Sequence, residues 1–264
     1  MGENELKMIV DGEFQKKNLD KLKALTVYFD IECDEFSDYG FLEQLPNVKK
    51  LVVCGSSFEV IFVRQRPDNS EHLLQLKELC LKSLAELVSI GLENSWTESF
   101  VKNVETFEVI GCSSLKSLIA CKVSFFNLTC LKVKDCDNLL YLFTPSTARS
   151  LVQLKRMKIK KCKSIEEIVS KEEGEESDEI IFPNLSCLNL DGLWSLKRFY
   201  KGSLSFPSLE ELSVKYCIAM VTLCAGTLEA GKLCQITINR DGTIPLETDL
   251  NFTMRKNFLK MVCV

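Results

Sequence analysis

The stretch Asn127–Phe143, NLTCLKVKDCDNLLYLF, decides the fold. Its apolar residues Leu128, Leu131, Val133, Cys136, Leu139 and Leu142 are spaced three, two, three, three and three residues apart. Strict alternation would mark a half-buried strand, and a period of about 3.6 residues an amphipathic helix. The change of step predicts a short strand that runs into a tight, extended or 3₁₀-like return.

The same six positions recur along the chain. VKNVETFEVIGCSSLKSL carries Val104, Phe107, Val109, Cys112, Leu115 and Leu118, and LVQLKRMKIKKCKSIEEI carries Leu154, Met157, Ile159, Cys162, Ile165 and Ile168. Copies lead at residues 22, 48, 76, 104, 128, 154, 185, 209 and 233, most of them separated by 24 to 28 residues. The longest gap, from 154 to 185, holds the acidic run SKEEGEESDE. Spacing and wording match the leucine-rich repeat, L-x-x-L-x-L-x-x-[N/C]-x-L, with a period of about 20–29 residues. With the leading residue as position 0, positions 0, 3 and 5 should point inward from a parallel strand. Positions 4 and 6 should line a concave face, with strands roughly 4.8 Å apart. Positions 8, 11 and 14 should fill the return. The fold class is therefore α/β, a curved solenoid with a concave parallel sheet and an irregular or short-helical convex side. It is expected over residues 1–243, with a capping segment over 244–264 whose Leu250, Met254, Phe258 and Met261 share a helical face behind Thr248 or Asp249.

Composition narrows the chemistry. Thirteen cysteines, without a paired C-x-x-C motif or a secretory leader, predict reduced thiols in a cytoplasmic or nuclear protein. Cys112, Cys136, Cys162 and Cys217 all fall at position 8, which predicts a structural ladder under the turn. Cys130 and Cys187 share position 2, but the strand of Arg156 separates them by about 10 Å, too far for a disulfide. The sequons at Asn127, Asn184 and Asn251 are explained by the repeat, without glycosylation, at least for the first two. His72 is the only histidine, and no phosphate loop, nucleophile elbow or zinc helix is present, so no catalytic residue, metal or cofactor is assigned. The net charge of −4 gives no reason to expect nucleic acid, and no apolar run approaches the ~18 residues of a membrane span.

The concave positions concentrate charge. Lys132, Lys134, Lys158 and Lys160, flanked by Lys155 and Arg156, should form a basic patch on two adjacent strands. The acidic run that follows, with Glu172, Glu173, Glu175, Glu176, Asp178 and Glu179, is expected to be a regulatory loop competing for those lysines. A protein partner with acidic character would fit.

The wording of the repeats goes further. FFNLTCLKVKDCDNLLYLFTPSTARSLVQLKRMKIKKCKSIEEIV, an acidic stretch, then IIFPNLSCLNLDGLWSLKRF, closely resembles the leucine-rich-repeat region of plant coiled-coil, nucleotide-binding disease-resistance receptors. FPSLEELSVKYC and DLNFTMRKNF resemble the C-terminal end of that region. The resemblance implies a non-catalytic, protein-binding role in innate immunity: sensing pathogen effectors or their host targets, or holding a nucleotide-binding domain inactive. The coiled coil and the phosphate-binding loop have no counterpart in this sequence. The resemblance therefore implies a fragment, a truncated product or a repeat-only relative. The alternatives are an extracellular receptor ectodomain and a substrate-recruiting adaptor of a ubiquitin ligase. The first would need a leader and paired capping cysteines, the second an F-box-like segment before the first repeat.

Overall fold

The structure, a computed structural model, describes residues 19–28, 45–55, 59–62, 75–91, 101–118, 123–170, 178–239, 242–246 and 249–262. Its strands in chain order are β1 (Ala24–Tyr28), β2 (Lys50–Cys54), β3 (Val60–Phe62), β4 (Glu78–Lys82) and β5 (Ser89–Gly91). Next come β6 (Thr106–Ile110), β7 (Cys130–Lys134), β8 (Arg156–Lys160), β9 (Ile180–Ile181) and β10 (Cys187–Asp191). The last five are β11 (Leu204–Ser205), β12 (Glu211–Lys215), β13 (Leu228–Glu229), β14 (Gln235–Ile238) and β15 (Thr243–Pro245). The described residues also include the helices α1 (Pro145–Arg149) and α2 (Leu250–Val262).

Eight of the nine repeats place a strand on positions 2 to 6, and the ninth on positions 2 to 5. These strands form one parallel ladder, β1-β2-β4-β6-β7-β8-β10-β12-β14, in which equal positions pair. The alternation within a strand explains the packing. Leu131 and Val133 are fully buried while Lys132 and Lys134 between and after them face out, and the other concave strands bury the same two positions, though β2 also buries Cys54. No coil can bury its own leucines, so the core runs as one continuous column through the array.

The coil closes at a turn the six-position pattern does not contain. In eight of the nine coils the N–H of the leading residue donates to the carbonyl three residues earlier, as from Leu128 to Phe125 at 3.2 Å and Leu185 to Phe182 at 3.4 Å. Position −3 is itself a core column, and at Phe125, Phe182 and Phe206 it is aromatic. The Phe182 ring stacks on Phe206 with centroids 5.4 Å apart, and Phe199 meets both edge-on at 5.7 Å. Asparagine at position −1 braces the turn: the side-chain amides of Asn47, Asn127 and Asn184 donate to Asp20, Lys102 and Val152 carbonyls of the preceding coil at 2.8–2.9 Å. Two of the three sequons are thereby accounted for by amide groups already engaged.

After each strand the chain must turn inward while its next N–H still reaches the following coil. Position 7 therefore adopts a left-handed backbone. Gly111 and Gly192 do so at φ 69°, without a side-chain penalty. Asp135, Lys161 and Tyr216 occupy the same place at φ 51–53°, a conformation that costs L-residues roughly 1–2 kcal/mol. The ladder bonds hold them there: Gly111, Asp135 and Lys161 donate to Lys134, Lys160 and Asp191 carbonyls at 2.7–3.1 Å.

The reverse side is irregular with a short helix, as expected. Its only described short helix is α1, started by Thr144 and by Pro145 in the first turn. Elsewhere it consists of parallel bridges, Ser117 to Tyr141, Phe143 to Val169, Glu167 to Arg198 and Tyr200 to Cys224, with the small ladders β3-β5 and β9-β11-β13. No 3₁₀ helix occurs among the described residues. Buried Glu167 receives Arg198 at 3.3 Å and Lys201 at 3.6 Å, and Glu166 receives Lys197 at 2.7 Å, so the two carboxylates of the Ile165–Val169 motif tie one coil to the next. At the far end β15 pairs antiparallel with β14, carrying the sheet past residue 243, and α2 follows. Asp249 is the N-cap, its carboxylate accepting the Phe252 N–H at 2.7 Å. Thr248 lies outside the described residues, as do the side chains of Phe258 and Met261.

Candidate functional site: the concave sheet

Strand register brings the basic residues together. Lys132 pairs with Lys158, Lys134 with Lys160 and Cys130 with Arg156 across β7 and β8, while Lys155 enters β8 beside them. Like charges side by side repel, and the flanking strands relieve part of this. Glu108 on β6 forms an ion pair with Lys132, and its hydrogen bond holds the Lys132 ammonium above the usual lysine pKa. Lys134 reaches Asp135 at 3.2 Å, and Lys160 reaches Asp191 on β10 at 3.5 Å.

The patch is thus not the uniform block of cations that counting lysines predicts. Among the described residues no ion pair engages Lys155, Arg156 or Lys158, so its unopposed charge sits on β8. Arg156, Lys158 and Lys132 line a cavity of about 390 Å³ with Glu78, Thr106, Glu108 and Cys130. A second, of about 250 Å³, lies between β10 and β15 and is bordered by Asn189, Glu211, Ser213 and Thr237. The Asn189 side-chain oxygen there is buried without a hydrogen-bond partner. The sheet therefore offers a cationic strip next to a neutral-to-acidic one.

Only the end of the acidic run is described. Glu172, Glu173, Glu175 and Glu176 lie outside the described residues, as does His72. Asp178 and Glu179 are exposed at the foot of β9, on the reverse ladder rather than on the concave sheet. Asp178 meets Arg149 at the end of α1, at 3.5 Å, and not a concave lysine.

The position-8 cysteines are fully buried, as a ladder requires. The thiols of Cys136, Cys162 and Cys217 each lie 3.3–3.4 Å from the carbonyl two residues back, that of Lys134, Lys160 and Lys215, and donate to it. The hydrogen bond with Cys136, and then burial, hold the Cys112 and Cys162 thiols far above the ordinary range. Burial pushes Cys217 up to about 12. Cys234 is the one exposed thiol among the described residues. Because attack needs an accessible thiolate, native protein at pH 8 should alkylate at exposed Cys234 while the four buried ladder thiols stay unmodified until denaturant is added. Peptide-resolved mass spectrometry reads the difference, and equal labelling of Cys162 and Cys234 in native protein would contradict the ladder.

A parallel ladder of nine coils with a charged concave face defines a leucine-rich-repeat solenoid. The structural likeness agrees: the leucine-rich-repeat domain of the type III effector XopL superposes with a TM-score of 0.52 at 14% identity, over 85% of this chain and 79% of that one. The sequence gives the family. The description "Plant disease resistance protein RPS2-like, leucine-rich repeats" matches residues 1–124 and 120–238, and the chain belongs to that family. Two probable disease resistance proteins of Arabidopsis thaliana are 30% and 26% identical to it over 67% and 69% of the chain. The chain spans only 19% and 26% of their length. No described helix is long and apolar enough to cross a membrane.

Proposed function

We propose that this chain is a non-catalytic protein-binding module of plant defence, acting in the cytoplasm or nucleus, and that its concave sheet takes an acidic surface of a pathogen effector, of a host target, or of a receptor's own nucleotide-binding domain. The observation that carries this reading is the unpaired charge of Arg156 and Lys158 at the centre of the sheet, beside Lys132, Lys134, Lys155 and Lys160. Loss of opposed water and counter-ions at such a strip favours carboxylates and speeds encounter. The acidic run, whose Asp178 meets Arg149, enters as a regulatory element.

The test is charge reversal. Changing Lys132, Lys134, Lys158 and Lys160 together to Glu should remove most partners recovered by proximity labelling in plant tissue. Direct binding to a recovered partner should weaken, with the deficit largest at low ionic strength, where the Debye length exceeds ~10 Å. Native protection of the ladder cysteines reports that the variant is folded. An unchanged partner set would remove the concave patch from the function.

A further inference from the structure

The edge of the solenoid where strands turn into the return carries an apolar cluster that the core does not need. Trp194 and Ile218 both stand at position 9 of neighbouring coils and are 55% and 74% exposed, and Tyr216 between them is 43% exposed. Isolated exposed hydrophobes are ordinary, but a large contiguous group is not. Their adjacency follows from the ladder, since Asp191 pairs with Lys215 and the Gly192 N–H donates to the Lys215 carbonyl at 2.8 Å. In the two preceding coils the side chains at position 9, Asp137 and Lys163, touch at 2.6 Å. Tyr216 adds a second oddity. It stands at φ 52°, a place that Gly55, Gly111 and Gly192 fill in three other coils and Ser83, Asp135 and Lys161 in three more, so a bulky aromatic is held in a left-handed backbone conformation.

The rim of this cluster is cationic. Lys161 lies directly against Gly192, whose added Cβ would stand 3.5 Å from the lysine backbone, and Lys215 precedes Tyr216. Lys161 also continues, by one residue, the strip of Lys158 and Lys160 on β8. We infer that Trp194, Tyr216 and Ile218 form an anchor site for the partner segment that crosses β8, and that this segment carries an acidic stretch followed by a bulky apolar side chain. The inference rests on the protein-binding reading above and adds a specificity element to it. A second copy of this chain is the poorer occupant, because two-fold pairing of the cluster sets Lys161 and Lys215 against their own images.

Fluorescence anisotropy on the full chain at low salt separates the two readings. One labelled probe is the peptide Asp-Glu-Asp-Glu-Asp-Glu, and the other is the same peptide extended by Gly-Ser-Leu-Phe. The extension should tighten binding about tenfold, the scale of burying one large apolar side chain. Trp194→Ser with Ile218→Ser should erase that gain and leave the shorter peptide unaffected, while the four-lysine reversal should abolish both. Equal affinity of the two probes for the unaltered chain overturns the anchor site and leaves the basic patch standing. Failure of both probes overturns the two readings together. A dimer that dissociates on the Trp194→Ser change, seen by sedimentation, assigns the cluster to a second copy and overturns the partner segment.

Discussion

Phe182→Ala should lower stability by about 3–5 kcal/mol, the range for emptying a buried aromatic site. Phe182 is fully buried immediately after the acidic run, stacked on Phe206 and edge-on to Phe199. Each such aromatic contact adds roughly 0.5–1.5 kcal/mol beyond area burial. The position makes the loss more than local. In a solenoid, stability is close to a sum of coil terms and nearest-neighbour interfaces, and this ring joins the coil that leads at Leu185 to the one that follows it. Emptying the site should uncouple the C-terminal coils from those carrying β7 and β8. Urea unfolding should then resolve into two transitions, each with a smaller slope than the single transition of the unaltered chain. Leu140→Ala, on a half-exposed side chain of the return, should stay within about 0.5 kcal/mol. A single unshifted transition for Phe182→Ala would mean that the aromatic cluster does not couple the coils.

Apolar periodicity made the concave ladder legible residue by residue, because burial at positions 0, 3, 5 and 8 is the dominant energy and leaves the clearest trace in composition. What it could not show depends on neighbours in space. Glu108 stood at position 4 in the sequence, yet its pairing with Lys132 follows only once β6 and β7 are placed side by side. The acidic run looked like a rival for the concave lysines because it follows them in the chain, but the coil carries its described end to the reverse side. The left-handed position 7 shows in composition only where glycine fills it. Asp135, Lys161 and Tyr216 conceal it, since hydrogen bonds to the next coil override their preference. The asparagines at position −1 were visible in the recurring F-x-N-L wording, without a role until the carbonyls of the preceding coil were in place. Trp194 and Ile218 were passed over for the opposite reason, as apolar residues outside the core pattern.

Met254→Asp should release the C-terminal helix and expose the end of the array. The coil that leads at Leu209 is followed by a shorter one, and two asparagine side chains accept backbone N–H groups of that penultimate coil. The Asn239 side chain accepts the Tyr216 N–H at 2.6 Å, where earlier coils offer a carbonyl to the same N–H. On the reverse side the Phe199 N–H reaches the Leu223 carbonyl at 2.8 Å, and the Leu223 N–H in turn reaches the side-chain oxygen of Asn251 at 3.1 Å. Asn251 also accepts the Thr222 hydroxyl, and its own amide contacts the Cys224 sulfur. An asparagine so engaged is a poor glycan acceptor, and the third sequon falls with the other two. What seats Asn251 is the apolar face of α2, where Leu250, Thr253 and Met254 are buried. A carboxylate at 254 would lose the transfer energy of the methionine and add an unpaired buried charge, a local cost of about 3 kcal/mol or more. Detachment should bring amide exchange at Leu223 close to solvent rates and open α2 to protease, while Leu131 and Phe107 in the interior coils keep their protection. Phe252→Asp, on the exposed face of the same helix, should leave Leu223 protected. If Leu223 remained protected in the Met254→Asp protein, the helix would be a passenger on the last coil and the array would close through β15 alone.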